Sequence, residues 1–123
     1  MNIHRASPVD DSWEAIREEL ERAFTMSRAA AQAEESFVYI VHHDDLLGRR
    51  GAGQAMVAAG LLSAARTAAI EGSRKGWTAN VIAYDDGADP TQVEDWAATM
   101  LDSNGVNGEL IRIGSSHLGK ALP

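Results

Sequence analysis

Hydrophobic residues recur along the chain with two different spacings, and the wider one predicts three helices. From Asp11 to about Ala33, apolar residues return every three or four positions, as on one face of an amphipathic helix. Asp11 and Glu14 have the spacing of a capping box at its start. A second helix, unusually rich in alanine, is predicted over residues 54–73, and a third begins at Asp89.

Three short runs of β-branched and aromatic residues predict buried strands, at 37–41, 77–84 and 109–113. Strands that alternate with helices imply right-handed βαβ units and a parallel sheet. We therefore predict an α/β fold: a truncated Rossmann-like parallel sheet of three strands with three helices, or four strands if residues 1–8 add one. Because a parallel sheet needs its faces and edges covered, we expect oligomerisation to complete it.

Length and charge narrow the classes of partner. The 123 residues suffice for a single domain, with tails at 1–9 and 115–123, and the net charge is -7. An acidic surface repels phosphate groups and anionic lipids, so we expect neither nucleic acid nor membrane as a partner. The chain has no cysteine, which excludes disulfides. Its first residues have no apolar signal segment, which favours a cytoplasmic protein.

A polar cluster follows the first predicted strand and consists of His42, His43, Asp44 and Asp45. Ligands of open parallel sheets bind at the carboxyl edge, and histidine with carboxylate can act as acid, base or metal ligand. All four residues are candidate metal ligands, and His42 with Asp44 is a candidate acid–base pair. Asp85 and Asp86, which end the second strand, could converge with them. However, adjacent histidines have no specific metal spacing, and a solvated turn explains the same residues.

Four segments, taken in order, resemble the second half of the short-chain dehydrogenase/reductase family. They are 12–30, 37–41, 60–83 and 104–116. The most specific is 60–83, in which Glu71 and Asn80 match the end of the family's lysine-bearing helix and the strand after it. The resemblance implies a Rossmann-like fold in which two long helices pair with those of a neighbouring subunit.

The residues that carry the family's chemistry are missing at the matching positions. Gln54 stands at the tyrosine position and Ala58 at the lysine position, so neither can form the family's proton-transfer pair. The serine position falls near 41–43 and the asparagine position near 19–20, again without those residues. The family's glycine-rich half is absent, and residues 51–53 are not a dinucleotide fingerprint. We therefore predict no cofactor and no catalytic residue by family motif.

Association is the function that this pattern favours. We expect a non-catalytic protein that forms a homo-oligomer or is the partner subunit of a full-length short-chain dehydrogenase. The predicted interface consists of Trp13, Ile16, Leu20, Phe24, Ala58, Leu61, Leu62, Ala65 and Ala69. Two alternatives stay open: a divergent small-molecule- or metal-binding protein that uses residues 42–45, and a relic with a fold and no specific function.

Overall fold

A computed structural model describes residues 1–115 and contains one sheet of four parallel strands, in the order β1-β2-β3-β4. The strands are β1 (Ile3–Arg5), β2 (Phe37–His42), β3 (Ala79–Tyr84) and β4 (Leu110–Ile113). The helices are α1 (Trp13–Gln32), the short α2 (His43–Leu46), α3 (Ala52–Lys75) and α4 (Pro90–Asp102). The predicted α/β fold with a parallel sheet is confirmed. Part of the expected first tail forms β1, which pairs with β2. The residues of the expected second tail that follow Ser115 lie outside the described residues.

Side chains point alternately to the two faces of the sheet along each buried strand. Both faces are therefore apolar, and helices cover both. Phe37, Tyr39 and Val41 of β2 belong to the core beneath α1 and α3. Val38 and Ile40 belong to a second core beneath α4. Within residues 1–115, none of the helices combines the length and the apolar character that crossing a bilayer requires.

Small residues let α3 approach the sheet closely. The buried face of this helix contains Ala58, Ala65, Ala69 and Gly72. A Cβ atom on Gly72 would lie 2.4 Å from the carbonyl oxygen of Trp77, so only glycine fits there. The helix ends at Gly76, whose φ of 84° is left-handed and suits a C-terminal glycine.

The start of α1 differs from the capping box expected at Asp11. Ser12 is the N-cap residue, and its hydroxyl accepts a hydrogen bond from the Ala15 N–H at 3.2 Å. The Asp11 carboxylate instead accepts the Gly53 N–H at 2.8 Å. Asp11 therefore joins the first turn of α3, whose N-cap Gly51 offers no side chain for that purpose.

The buried face of α1 is rotated relative to the predicted apolar stripe. Its buried residues are Ile16, Glu19, Ala23 and Ala30, whereas Trp13 and Phe24 are 66% and 64% exposed. Glu19 is only 1% exposed because the chain supplies it with partners. Its carboxylate binds His4 Nε2 at 2.7 Å and accepts the Ser7 N–H at 3.1 Å, and it also pairs with Arg22.

Six of the nine predicted interface residues lie inside this chain's own core. They are Ile16, Ala58, Leu61, Leu62, Ala65 and Ala69. Their apolar and small side chains form the contact of α1 and α3 with the sheet, so in this conformation they offer no surface to a second molecule. Leu20 is half-buried, and only Trp13 and Phe24 of that set are exposed.

Replacing Gly72 with alanine tests the close approach of α3. We expect Gly72→Ala to lower the free energy of unfolding by about 1–3 kcal/mol, since the added methyl group overpacks against Trp77. Gly60→Ala is the matched control, because the nearest atom to its Cβ, on Leu20, is 3.7 Å away. The control should gain up to about 1 kcal/mol from helix propensity. Denaturant unfolding of dilute protein measures both, and equal effects would contradict the packing argument.

Replacing Glu19 with glutamine tests the buried carboxylate. Glu19→Gln keeps the shape but removes the charge that His4 and Arg22 bind, so the free energy of unfolding should fall by roughly 1–3 kcal/mol. Exposed Glu18 is the control, and Glu18→Gln should change stability by less than about 0.5 kcal/mol. A Glu19→Gln protein as stable as the control in urea titrations would show that the buried network contributes nothing.

Candidate functional site

The polar cluster of residues 42–45 lies where β2 passes into α2, at the carboxyl edge of the sheet. Its side chains divide between two regions of that edge. His42 contacts Asp86, which follows β3, whereas Asp45 contacts Arg50 and Gln54 at the start of α3. The run therefore does not converge on one centre.

Both ring nitrogens of His42 are engaged. Nε2 lies 2.8 Å from Asp86 Oδ1, and Nδ1 accepts the Asp44 N–H at 3.1 Å. Because Nδ1 accepts a hydrogen bond, the ring proton lies on Nε2 and is donated to Asp86. The ring also makes an edge contact with Tyr84, with centroids 5.1 Å apart. The contact with Asp86 confirms part of the expected convergence, but it leaves no free nitrogen for a metal ion or a substrate proton.

The carboxylates of the cluster are paired with arginines. Asp45 binds Arg50 through two hydrogen bonds of 3.0 and 2.9 Å and accepts a third, of 3.0 Å, from the Gln54 amide. The hydrogen bond to Asp45 raises the pKa of Arg50. Asp44 pairs with Arg49 at 3.3 Å. Across residues 1–115, no group of three or more histidine, cysteine or acidic residues is arranged to hold a metal ion.

His43 is the exception, because its ring is buried and incompletely bonded. It is 1% exposed, and its Nε2 has no hydrogen-bond partner in the part of the chain that the structure describes. Burial lowers the pKa of His43, and Arg49 and Arg112 lower it further against the opposing effects of Asp44 and Asp85. The imidazole is therefore neutral near pH 7, but it lies away from the surface where a substrate could reach it.

The family positions for proton transfer have structural roles in this fold. Gln54, at the tyrosine position, donates its amide to Asp45. Ala58, at the lysine position, is 2% exposed on the buried face of α3. Glu19, near the asparagine position, is bound to His4 and Arg22. None of these side chains supplies the phenol and ammonium that the family's chemistry needs.

A cavity of about 460 Å³ opens beside His42 on the α4 side of the same edge. Apolar Ile40 and Val93 form part of its wall. Arg5 and Glu94 also line it, and they form an ion pair with each other. Sequence reasoning missed this pair, because its two members are 89 positions apart and only the fold brings them together.

Comparison with solved structures identifies dehydrogenases with the same fold. The chain superposes on the citronellol catabolism dehydrogenase AtuB of Pseudomonas aeruginosa PAO1 with a TM-score of 0.70 and 19% identity, over 91% of this chain and 59% of that one. For the 3-hydroxyacyl-CoA dehydrogenase type-2 of Mycobacterium avium the TM-score is 0.67 and the identity 18%, with the same coverages.

These likenesses confirm the expected short-chain-dehydrogenase-like fold, and at such identities they show the fold alone. The chain spans about three-fifths of the length of either structure. No family model matches the sequence. No curated protein matches it either.

Replacing His43 with leucine tests whether burial lowers the pKa of this ring. A folded-state pKa below the ordinary 6.5 means that the unfolded chain binds more protons as pH falls through 6.5. The free energy of unfolding should therefore decrease from pH 7 towards pH 5. His43→Leu should lose that part of the pH dependence and, having no unpaired ring nitrogen, match or exceed the wild type in stability at pH 7.5.

Urea titrations of both proteins at several pH values measure this difference. His4, whose pKa burial also lowers, is present in both proteins, so its contribution cancels in the comparison. Parallel stability profiles between pH 5 and 7 would refute the assignment to His43.

Proposed function

We propose that this chain works by association: two copies pair through the outer face of α3, and the pair does not carry out the proton transfer of short-chain dehydrogenases. The proposal rests on a stripe of exposed residues along α3, called here the α3 stripe. It consists of Met56, Ala59, Ser63, Thr67 and Ile70.

The α3 stripe has a large apolar side chain at each end and small side chains between them. Met56 is 53% exposed and Ile70 is 62% exposed. Large exposed apolar residues at helical spacing are a feature of association surfaces, whereas single ones are ordinary. The small residues between them allow the backbone of another helix to approach closely.

The spacing of the α3 stripe fits a second copy of itself. Met56 and Ile70 each lie seven residues from Ser63, which is about 10.5 Å along the helix axis. If two α3 helices cross antiparallel about a two-fold axis at Ser63, Met56 of each copy meets Ile70 of the other. Such self-complementarity is what a two-fold interface requires, since the same surface serves both partners.

Helix α1 extends this surface and keeps part of the predicted interface. Leu20 lies close to Gly60, at the side of the α3 stripe. Trp13 and Phe24 are exposed on the same helix. In the proposed pair these aromatic side chains are available for contacts with the second copy, and the four helices would form a bundle.

The residues at the carboxyl edge of the sheet already have partners within the chain, and this supports association over the catalytic alternative. His42 and Asp45 are occupied by Asp86 and Arg50, so a metal or acid–base site would first have to break these contacts. A full-length dehydrogenase with a similar outer helix is the second candidate partner. It would compete for the same α3 stripe.

A glutamate at Ser63 tests the two-fold pairing. Ser63 is exposed, so Ser63→Glu should fold normally, but across the two-fold axis its carboxylates face each other. We expect light scattering to give a dimer for the wild type and a monomer for Ser63→Glu. Ala98→Glu, which adds the same charge on exposed α4, is the control and should stay dimeric.

A mixture of charge variants makes this test specific to geometry. Ser63→Lys alone should also be monomeric, whereas Ser63→Glu and Ser63→Lys mixed in equal amounts should restore the dimer, because opposite charges then meet at the axis. A wild-type monomer at all concentrations, or a dimer that Ser63→Glu leaves intact, would overturn the proposal. A monomer that co-purifies with a dehydrogenase would point to the second partner.

A further inference from the structure

The segment before α1 lies along an outer edge of the sheet, and its residues 2–7 are called here the strap. The strap contains β1, which stands first in the sheet order and pairs with β2 alone among the strands of residues 1–115. Within this described part, neither hydrophobic core includes a fully buried residue of the strap. Ile3 and Ala6 are only partly buried against the cores. The strap can therefore leave the sheet without removing a core residue.

Few backbone hydrogen bonds hold the strap to β2. The Asn2 carbonyl accepts the Val38 N–H at 3.0 Å, and the Ala6 N–H donates to the Ile40 carbonyl at 2.9 Å. A strand of three residues makes only a short ladder of such bonds. Contacts of the side chains therefore matter for how firmly the strap is held.

Glu19 of α1 binds the strap on one face of the sheet. Its carboxylate lies 2.7 Å from His4 Nε2 and accepts the Ser7 N–H at 3.1 Å. The Glu19 side chain is 1% exposed and that of His4 is 11% exposed, so water competes little for these bonds. The same carboxylate pairs with Arg22, which offsets its charge.

Glu94 of α4 binds the strap on the opposite face, through an ion pair with Arg5. Glu35, between α1 and β2, accepts a hydrogen bond of 3.3 Å from the side-chain amide of Asn2, and that amide also donates to the Ser36 carbonyl. The strap is thus bound by carboxylates from three parts of the chain. A carboxylate that has taken up a proton no longer carries the charge that binds a cation.

Further acidic residues lie beside the ion pair of Arg5 and Glu94. Asp85 and Asp86 line the same cavity of about 460 Å³ as that pair, and Asp86 is hydrogen-bonded to His42. These carboxylates also lose charge when they take up protons. Acid therefore weakens the attraction of this wall for Arg5 in the same direction.

His4 adds a second acid-sensitive contact. The charged or titratable groups that face its ring are Glu19 and Arg22 of α1 and the phenol of Tyr39, in β2. Burial lowers the pKa of His4, and Arg22 lowers it further. Burial raises the pKa of Tyr39, so the phenol stays neutral in acid. Once released, His4 would regain its ordinary pKa of about 6.5. The released strap therefore binds more protons as pH falls through 6.5, and acid favours release.

We propose that the strap is released from the sheet by acid, while β2, β3 and β4 keep their pairing. Protonation of Glu94 and Glu19 weakens the contacts with Arg5 and His4, and protonation of the released imidazole stabilises the free strap. Release uncovers the outer edge of β2, all six residues of which are buried while the strap is bound. It also removes Arg5 and Ala6 from the wall of the cavity at the carboxyl edge. The strap thus controls access to that cavity and to β2 according to pH.

This inference does not depend on the proposed pairing of two copies. None of the contacts named for the strap involves the α3 stripe. The monomeric Ser63→Glu protein should therefore show the same acid release, and the two proposals can fail separately.

Hydrogen exchange of single amides, followed by NMR, measures the release. The Val38 and Ala6 N–H groups report on the strap, and the Val81 N–H, which donates to the Glu109 carbonyl just before β4, reports on the rest of the sheet. After correction for intrinsic exchange, protection of Val38 and Ala6 should fall at least about fivefold from pH 7 to pH 5, with Val81 unchanged. Unchanged protection of Val38 and Ala6, or an equal fall at Val81, would overturn the inference.

Replacing His4 separates its titration from a general loss of stability in acid. His4→Gln keeps a donor for Glu19 but cannot gain a proton, so the fall at Val38 should shrink to less than about twofold. His43→Leu, which removes another buried imidazole, is the control and should show the fall of the wild type.

Replacing Glu94 tests the contact on the other face. Glu94→Gln removes the ion pair with Arg5 at an exposed position, so protection of Ala6 and Val38 should fall at least about twofold at pH 7 itself. Asp95→Asn, at the next exposed position of α4, is the control and should change neither amide. A wild-type pH profile in His4→Gln, together with unchanged exchange in Glu94→Gln, would refute the proposed release.

Discussion

The close approach of α3 to the sheet is the constraint on which the rest of this structure depends. At its end, Gly72 lies against Trp77, just before β3, with no room for a side chain. At its start, a Cβ on Gly53 would lie 2.4 Å from the carbonyl oxygen of Asp10, in the segment that joins β1 to α1. Between these points the buried face is mostly alanine and leucine. A helix held so near the sheet leaves space for α1 beside it, and the two then enclose the core beneath them.

Because α3 is held against the sheet, the surroundings of each of its residues depend on the side of the helix that the residue faces. Side chains that face the sheet are used in packing, which is why most of the predicted interface residues are internal. Those that face outward form the α3 stripe, and Ala64 and Ala68 lie on the side towards α1. One alanine-rich helix thus has faces in three different surroundings, which the count of small residues alone does not distinguish.

Elements of this fold were predictable from the sequence, but the rotation of α1 was not. The strands read as continuous apolar runs because helices cover them on both faces, and the glycine at 76 correctly ended α3. In α1, counting apolar residues favoured Trp13 and Phe24 over Glu19. Glu19 can be buried because its carboxylate is paired with His4 of β1 and with Arg22, one turn further along α1. The periodicity of α1 does not reveal the contact with His4. The places of the edge residues were not readable from the sequence for a related reason, since the run crosses from β2 into α2 and its side chains separate there.

Ala58 connects the fold to the proposed role. A lysine at this position would begin in the core beneath α3, where a charge is costly unless another group pairs with it. With Gln54 in place of the phenol, a buried lysine would be destabilising, whereas alanine fits the close packing. Gln54 and Ala58 therefore fit the packing of this fold. What such a helix still offers is its outward surface, and the proposal of association rests on that surface.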